Sequence, residues 1–155
     1  MTSPAPPPGD ILYGCGFRLQ DGDLVLAADP RKAEPQMVHG LANLEQALTL
    51  RLLTPFGTDP LNAGYGLDVR GAFTGAHDRR TAKELIRLEV VRTLGSDPRV
   101  REVTEVLFDD DPQFVTQVLA AGGRPSDHRT RQWQVLVTVE TVQNVTTSVL
   151  IDVEF

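Results

Sequence analysis

The stretch Thr81–Phe108, TAKELIRLEVVRTLGSDPRVREVTEVLF, decides how this chain folds. It reads as a helix, an abrupt stop and a strand. Thr81 and Glu84 stand at the spacing of a capping box, in which each side chain bonds a free backbone N–H at the helix start. Ala82, Leu85, Leu88, Val91 and Leu94 recur at intervals of three and predict one apolar helix face. Gly95 suits the left-handed conformation that closes a helix. Pro98 cannot continue a helix and biases Asp97 toward extended backbone. Val100, Val103, Val106 and Phe108 then predict a strand from Val100 to Phe108. Asp97 and Arg99, two residues apart at the corner, can hold charge partners in a fixed place.

Working outward toward the N-terminus, Thr58–Gly75 carries Asp59-Pro60, Gly64-Tyr65-Gly66 and Gly71 and is too irregular for a helix. It reads as an ordered surface loop anchored by Leu61, Tyr65, Leu67, Val69 and Phe73. Leu41–Leu53 predicts a helix with Leu41, Leu44, Leu48 and Leu52 on one side and Asn43, Glu45, Gln46 and Arg51 on a polar face. It stops at Thr54-Pro55. Asp29–Gly40 reads as a loop. Within Ile11–Ala28, the apolar residues Phe17, Leu19, Leu24 and Leu26 flank Gln20-Asp21-Gly22-Asp23, and Asp-Gly is a strong hairpin signal. Met1–Asp10 holds four prolines and predicts a disordered or extended arm.

Toward the C-terminus, Asp109-Asp110-Asp111-Pro112 ends the strand as a solvated run. Phe114–Leu119 reads as a further short strand and Ala121–Thr130 as a flexible loop. Two strands close the chain. Trp133, Val135, Val137 and Val139 alternate with Gln132, Gln134 and Thr138, and Val145, Thr147, Val149, Ile151 and Val153 alternate with Thr146, Ser148 and Asp152. Gln143-Asn144 is the turn between them. The prediction is an α+β fold: two main helices packed on an antiparallel sheet, with an N-terminal hairpin and a C-terminal strand pair, in one domain over residues 11–155.

The composition narrows the function classes. A chain of 155 residues with 41% hydrophobic and 23% charged residues suits one core. A net charge of -6 argues against nucleic acid as a partner. No apolar run approaches the roughly 20 residues of a membrane span, and residues 1–10 lack the regions of a signal peptide. The lone Cys15 forms no internal disulfide, which points to cytoplasmic synthesis.

Catalytic and metal-binding patterns are sparse. His39, His77 and His128 have no metal-ligand spacing with one another or with Cys15, and each reads as a solvated loop histidine. Phosphate-binding, dinucleotide and nucleophile-elbow motifs are lacking, so no cofactor is expected. Glu34, Glu45, Glu102 and Glu105 are the carboxylates to weigh for glycoside hydrolysis, which needs two converging acids, one of them buried. Glu45 falls on the polar helix face, and strand alternation puts Glu102 and Glu105 on opposite faces. Asp109–Asp111 lacks the Gly and Glu that would complete a calcium loop. Cys15 has no base nearby in sequence and reads as a bystander thiol.

Taken together, the pattern resembles the baseplate-wedge, or tail sheath initiator, family of contractile phage tails, with relatives in type VI secretion and extracellular contractile injection systems. Gly40–Leu48 resembles the family's first helix, Arg51-Leu52-Leu53-Thr54-Pro55-Phe56-Gly57 its end, and Pro60 through Tyr65-Gly66-Leu67 the loop that follows. Ser96-Asp97-Pro98-Arg99-Val100 resembles the family's Glu-Pro-Arg motif, with Asp97 one methylene shorter than the family's Glu. The likeness covers residues 17–108 and 132–154. Residues 109–131 exceed the family's usual connection and read as an insertion. The resemblance implies a non-enzymatic structural protein, six copies to a particle. Its partners would be other wedge proteins, the tail sheath protein and tube or hub proteins. It also implies that Asp97, Pro98 and Arg99 engage the core bundle of neighbouring wedge subunits. The local alternative is that Arg99 pairs with Asp97 or a strand carboxylate inside the monomer. The strand carrying Val145, Thr147, Val149, Ile151 and Val153 would be the edge that meets the sheath, which the resemblance favours, or would supply an arm, or else is an interior strand of its own sheet. The rival function is a cell-wall-degrading, lysozyme-like enzyme of the same particle, to which the carboxylate pattern lends nothing.

Overall fold

The computed structural model describes residues 8–27, 34–75, 78–125 and 132–154. Outside them lie residues 1–7 of the predicted arm, residues 29–33 of the Asp29–Gly40 loop, residues 126–130 of the Ala121–Thr130 loop, His77 and His128. The fold is α+β, with three small antiparallel sheets and five helices among the described residues. The chain divides into two compact units, Met1–Ala47 and Leu48–Phe155.

The first unit opens with α1 (Pro8–Tyr13), so the last three residues of the predicted arm are helical. Pro8 takes the first position, where the helix needs no backbone N–H and the lack of one in proline costs nothing. β1 (Cys15–Phe17) pairs with β4 (Met37–His39), a strand inside the predicted loop. The Asp-Gly hairpin forms as read: β2 (Leu19–Gln20) pairs with β3 (Asp23–Leu24) through Asp21 at φ 53° and Gly22 at φ 88°. Two residues of positive φ are what a tight hairpin turn requires. The two ribbons meet in a closed ring of backbone bonds. Arg18 donates to Gln36 at 2.8 Å, Gln36 to Val25 at 2.7 Å, and Val25 to Arg18 at 3.0 Å.

α2 runs from Gly40 to Leu53 and buries Leu44, Leu48 and Leu52, as the spacing predicts. Its polar residues are not simply solvated. Asn43 donates to the Tyr13 carbonyl at 2.8 Å. Gln46 accepts from Leu19 N–H at 2.9 Å and donates to the Phe17 carbonyl at 2.8 Å. Two side-chain amides thus bond backbone groups of α1, β1 and β2.

In the second unit the segment after α2 is held by backbone. Leu67 N–H donates to Thr54 at 2.8 Å, and Phe56 N–H donates to Leu67 at 3.1 Å. Gly66, at φ 107°, makes this approach feasible, because a Cβ there would lie 2.5 Å from the Thr54 carbonyl oxygen. Leu67 anchors the loop as expected, but Leu61 is 97% exposed and anchors nothing. The loop also contains a short helix, α3 (Arg70–Thr74), which the glycine content conceals.

α4 covers Arg79–Gly95. Its cap is Asp78, whose carboxylate accepts from Thr81 N–H at 3.0 Å, so the predicted capping box starts three residues late. The buried residues are Ala82, Lys83, Ile86, Val90, Thr93 and Leu94, whereas Leu88 is 62% and Val91 42% exposed. At about 100° per residue, intervals of three drift backwards around the helix. Ala82, Ile86 and Val90 define the buried arc, and Leu88 falls on its far side. Gly95 has no positive φ. The helix ends instead through Ser96 Oγ donating to the Thr93 carbonyl at 2.7 Å and Asp97 N–H donating to Leu94 at 3.0 Å.

β5 (Val100–Phe108), β6 (Gln132–Thr141) and β7 (Thr146–Glu154) form one antiparallel sheet in the order β5-β6-β7. Val106, Phe108, Val135, Val137, Val149 and Ile151 share one face by register, and α4 packs against β5 there. On the other face Leu107, Leu136 and Leu150 meet Phe114 and Val118. These two belong to α5 (Phe114–Ala120), a helix where a strand is expected. Phe114 and Val118 are four apart, the helical spacing, and their burial on Leu136 decides the conformation. α5 also explains why β6 is buried at consecutive positions from Trp133 to Val137 instead of alternately.

Candidate functional site

The corner between α4 and β5 is built around one carboxylate. Pro98 stands second in a reverse turn closed by Val100 N–H donating to the Asp97 carbonyl at 3.0 Å. Asp97 Oδ1 accepts from Arg99 N–H at 3.0 Å and from Arg99 Nε at 2.9 Å, and Oδ2 accepts from Arg99 Nη2 at 2.8 Å. A second arginine, Arg51 of α2, brings Nη1 to 3.5 Å from Oδ2. Its guanidinium stands over the Tyr65 ring at 5.2 Å. Arg51, read on the polar face of its helix, is half-buried there, and its Nε meets no acceptor among the described residues.

Burial works to raise the Asp97 pKa, but the hydrogen bonds from Arg99 and the nearby Arg51 charge outweigh it and hold the group below the usual carboxylate range. The same hydrogen bonds raise Arg99 above its ordinary value. Burial pushes the Tyr65 hydroxyl up, with the Arg51 charge opposing. The three residues expected to act together therefore divide their roles. Asp97 is buried, Pro98 is exposed, and Arg99 is half-buried and braced by Asp97 from within. The aspartate's short reach is accommodated because its partners are the backbone and side chain only two residues ahead.

The second candidate surface is β7. Among the described residues it has a hydrogen-bonded neighbour on one side only, which makes it an edge strand of its sheet. Val145 precedes the strand in the turn and is exposed. Thr147, Val149, Ile151 and Val153 all face the core. Their side chains are spent on packing. What the edge offers outward is backbone, with Ser148, Leu150, Asp152 and Glu154 on the opposite face.

A third cluster was not foreseen. Lys83 is buried in α4 with Nζ 2.5 Å from Asp110 and 3.8 Å from Asp109, above the rings of Phe108 and Trp133 at 5.1 and 5.2 Å. Arg87 donates through Nε to the Val106 carbonyl at 3.2 Å and reaches Asp111 at 3.6 Å. Asp111 accepts from Phe108 N–H at 2.7 Å. Burial acts to raise Asp110, but Lys83 lowers it further. The acidic run is thus tied down on α4 and not simply solvated. Two cations four apart beside Ala82 and Ile86, facing a later run of three aspartates, were the available signal.

The remaining candidates stay scattered. Cys15 and His39 stand opposite each other across β1 and β4, so the thiol does have a base in register, and His39 is on a strand, not in a loop. Two bulges in β5 put Glu102 opposite Glu140 and Glu105 opposite Thr138, which restores the two acids to one face. Among the described residues no group of three or more His, Cys, Asp or Glu side chains could hold a metal ion, and no helix is long and apolar enough to cross a membrane.

Comparison with known proteins gave no match to a family model, to a curated protein or to a solved structure.

Proposed function

We propose that this chain is a structural baseplate component of a contractile tail or injection particle, made in the cytoplasm, that docks on a wedge core bundle and starts the sheath. The observation that carries this reading is the contrast between the two sheet edges. β5 is bulged between Val100 and Glu102 and again between Val103 and Glu105, whereas β7 keeps an unbroken register over nine consecutive pairs with β6. Bulges and charges are how proteins close an edge against other strands. A regular edge left in place is suited to accepting one by backbone pairing. The Asp97–Arg99 corner supports the second contact, since a braced arginine beside an exposed proline is a rigid feature for a partner to grip.

The test uses two prolines. Adjacent residues of an antiparallel strand send their N–H groups to opposite edges. Of Ser148→Pro and Val149→Pro, one therefore cuts the bond to β6 and the other removes an outward donor. The variant that keeps its melting temperature should give baseplates without sheaths. Normal sheaths on that folded variant would end the sheath-initiating role. Arg99→Ala, with the fold intact by circular dichroism, should weaken capture of wedge proteins, and unchanged capture would remove the corner from the interface.

A further inference from the structure

Beside the last residues of β7 lies an open groove of about 440 Å³, walled by Leu53, Pro55, Val69 and Val153. Leu53, the final residue of α2, is 53% exposed. The opposite wall is firm, because residues 54–56 are pinned to Leu67 by the backbone bonds that Gly66 permits. Three consecutive residues at the end of β7, Asp152 to Glu154, line the groove together with Gln132, the β6 residue paired with Glu154. The charged residues in the lining are Asp152 and Glu154, both acidic. Glu154 accepts from Gln132 Nε2 at 2.6 Å, and among the described residues no Lys or Arg pairs with either acid.

We infer that this groove receives an extended basic segment of the partner protein. The segment pairs with β7, seats an apolar side chain among Leu53, Val69 and Val153, and sets Lys or Arg against Asp152 and Glu154. The inference rests on the reading of β7 as a docking edge and adds the chemistry of what docks. Alternating side chains of an added strand point to opposite faces, so one strand supplies both the apolar anchor and the flanking charges. A second copy of this chain does not fit, since it would bring like charges together at two acidic rims.

Two acetylated peptides matched in length to β7, one alternating Val with Lys and one alternating Val with Glu, serve as probes. Each is titrated into the isotopically labelled full chain and followed by amide chemical shifts. The basic peptide should move the amides of residues 146–154 together with Leu53 and Thr54, more weakly as salt rises. The acidic peptide should move none of them. Asp152→Lys with Glu154→Lys should weaken the basic peptide by about tenfold and admit the acidic one, and the uncharged Leu53→Ser should abolish the response at residue 53 and Thr54. Equal responses to both peptides, or shifts confined to other surfaces, would overturn the inference without any variant. If bare baseplates follow from the outward proline while the basic peptide fails to bind, the docking edge stands and the basic segment falls. If the peptide binds while sheaths grow normally on that proline variant, β7 is a peptide site unconnected with the sheath.

Discussion

β5 and β7 flank the same central strand and are the same length, nine residues each, yet they meet the outside differently. β5 carries two bulges. Its Arg101 pairs with Glu140 at 3.4 Å and with the Asn144 side chain, and α4 packs against it. β7 has a continuous ladder and outward residues of mixed character. Stability does not require this difference, because a bulge forfeits ladder bonds. The lesson is that one edge has been closed at some energetic cost and the other kept straight.

The largest effect that bears on this contrast is at the start of β5. Asp97→Ala would leave Arg51 and Arg99 facing each other without their shared anion, and the loss of one partner of a buried pair costs on the order of 3 kcal/mol. Chemical denaturation should show that loss, with β5 the first strand to give up amide protection. The pH dependence follows from the depressed Asp97 pKa. Its stabilisation is present above the unfolded value near 3.8 and disappears as pH falls through the lower folded value. Asp97→Asn should therefore be less stable near neutrality and show a shallower decline below about pH 4. An unchanged acid limb would mean that Asp97 is not the linked group.

A smaller effect separates the two means of closing β5. Arg101→Thr with Glu102→Thr removes charge and keeps the bulges, and should change stability by less than about 1 kcal/mol. The double variant should stay at the parent's association state at low and high concentration in sedimentation, because an irregular ladder cannot pair. Association appearing only in the variant would assign the closure to charge instead. Smallest of all is the effect expected at Leu88. Leu88→Ala should cost under about 0.5 kcal/mol, against roughly 2–5 kcal/mol for Ile86→Ala in the fully buried arc. Equal costs would return Leu88 to the core.

These positions also show what the sequence made legible. β5 was readable to the residue because Pro98 fixes its start and the aspartate run its end. The Asp21-Gly22 turn was readable because few residue pairs tolerate its backbone. The α4 face was misjudged because two apolar series interleave on that helix, and spacing alone does not say which one meets the sheet. Phe114–Leu119 was misread as a strand because a run this short fits both periods, and the choice is made by Leu136, far away in sequence. The candidate corner was visible as Asp97-Pro98-Arg99, but not the presence of Arg51, 46 residues earlier, on the same carboxylate. Ion pairs across such distances leave no local pattern. The sheet order, which makes β7 an edge, is likewise a property of pairing and not of any one strand.

The ring of backbone bonds joining Arg18, Val25 and Gln36 carries a kinetic consequence. Each of its three amides is both the donor of one link and the neighbour of the next, and no side chain takes part. Opening any link frees the segments that hold the other two, so the three protons should exchange with solvent as a set, at one shared rate. Substituting those side chains should leave that rate almost unaltered, whereas a single proline at Val25, which removes one of the three N–H groups, should release the other two together.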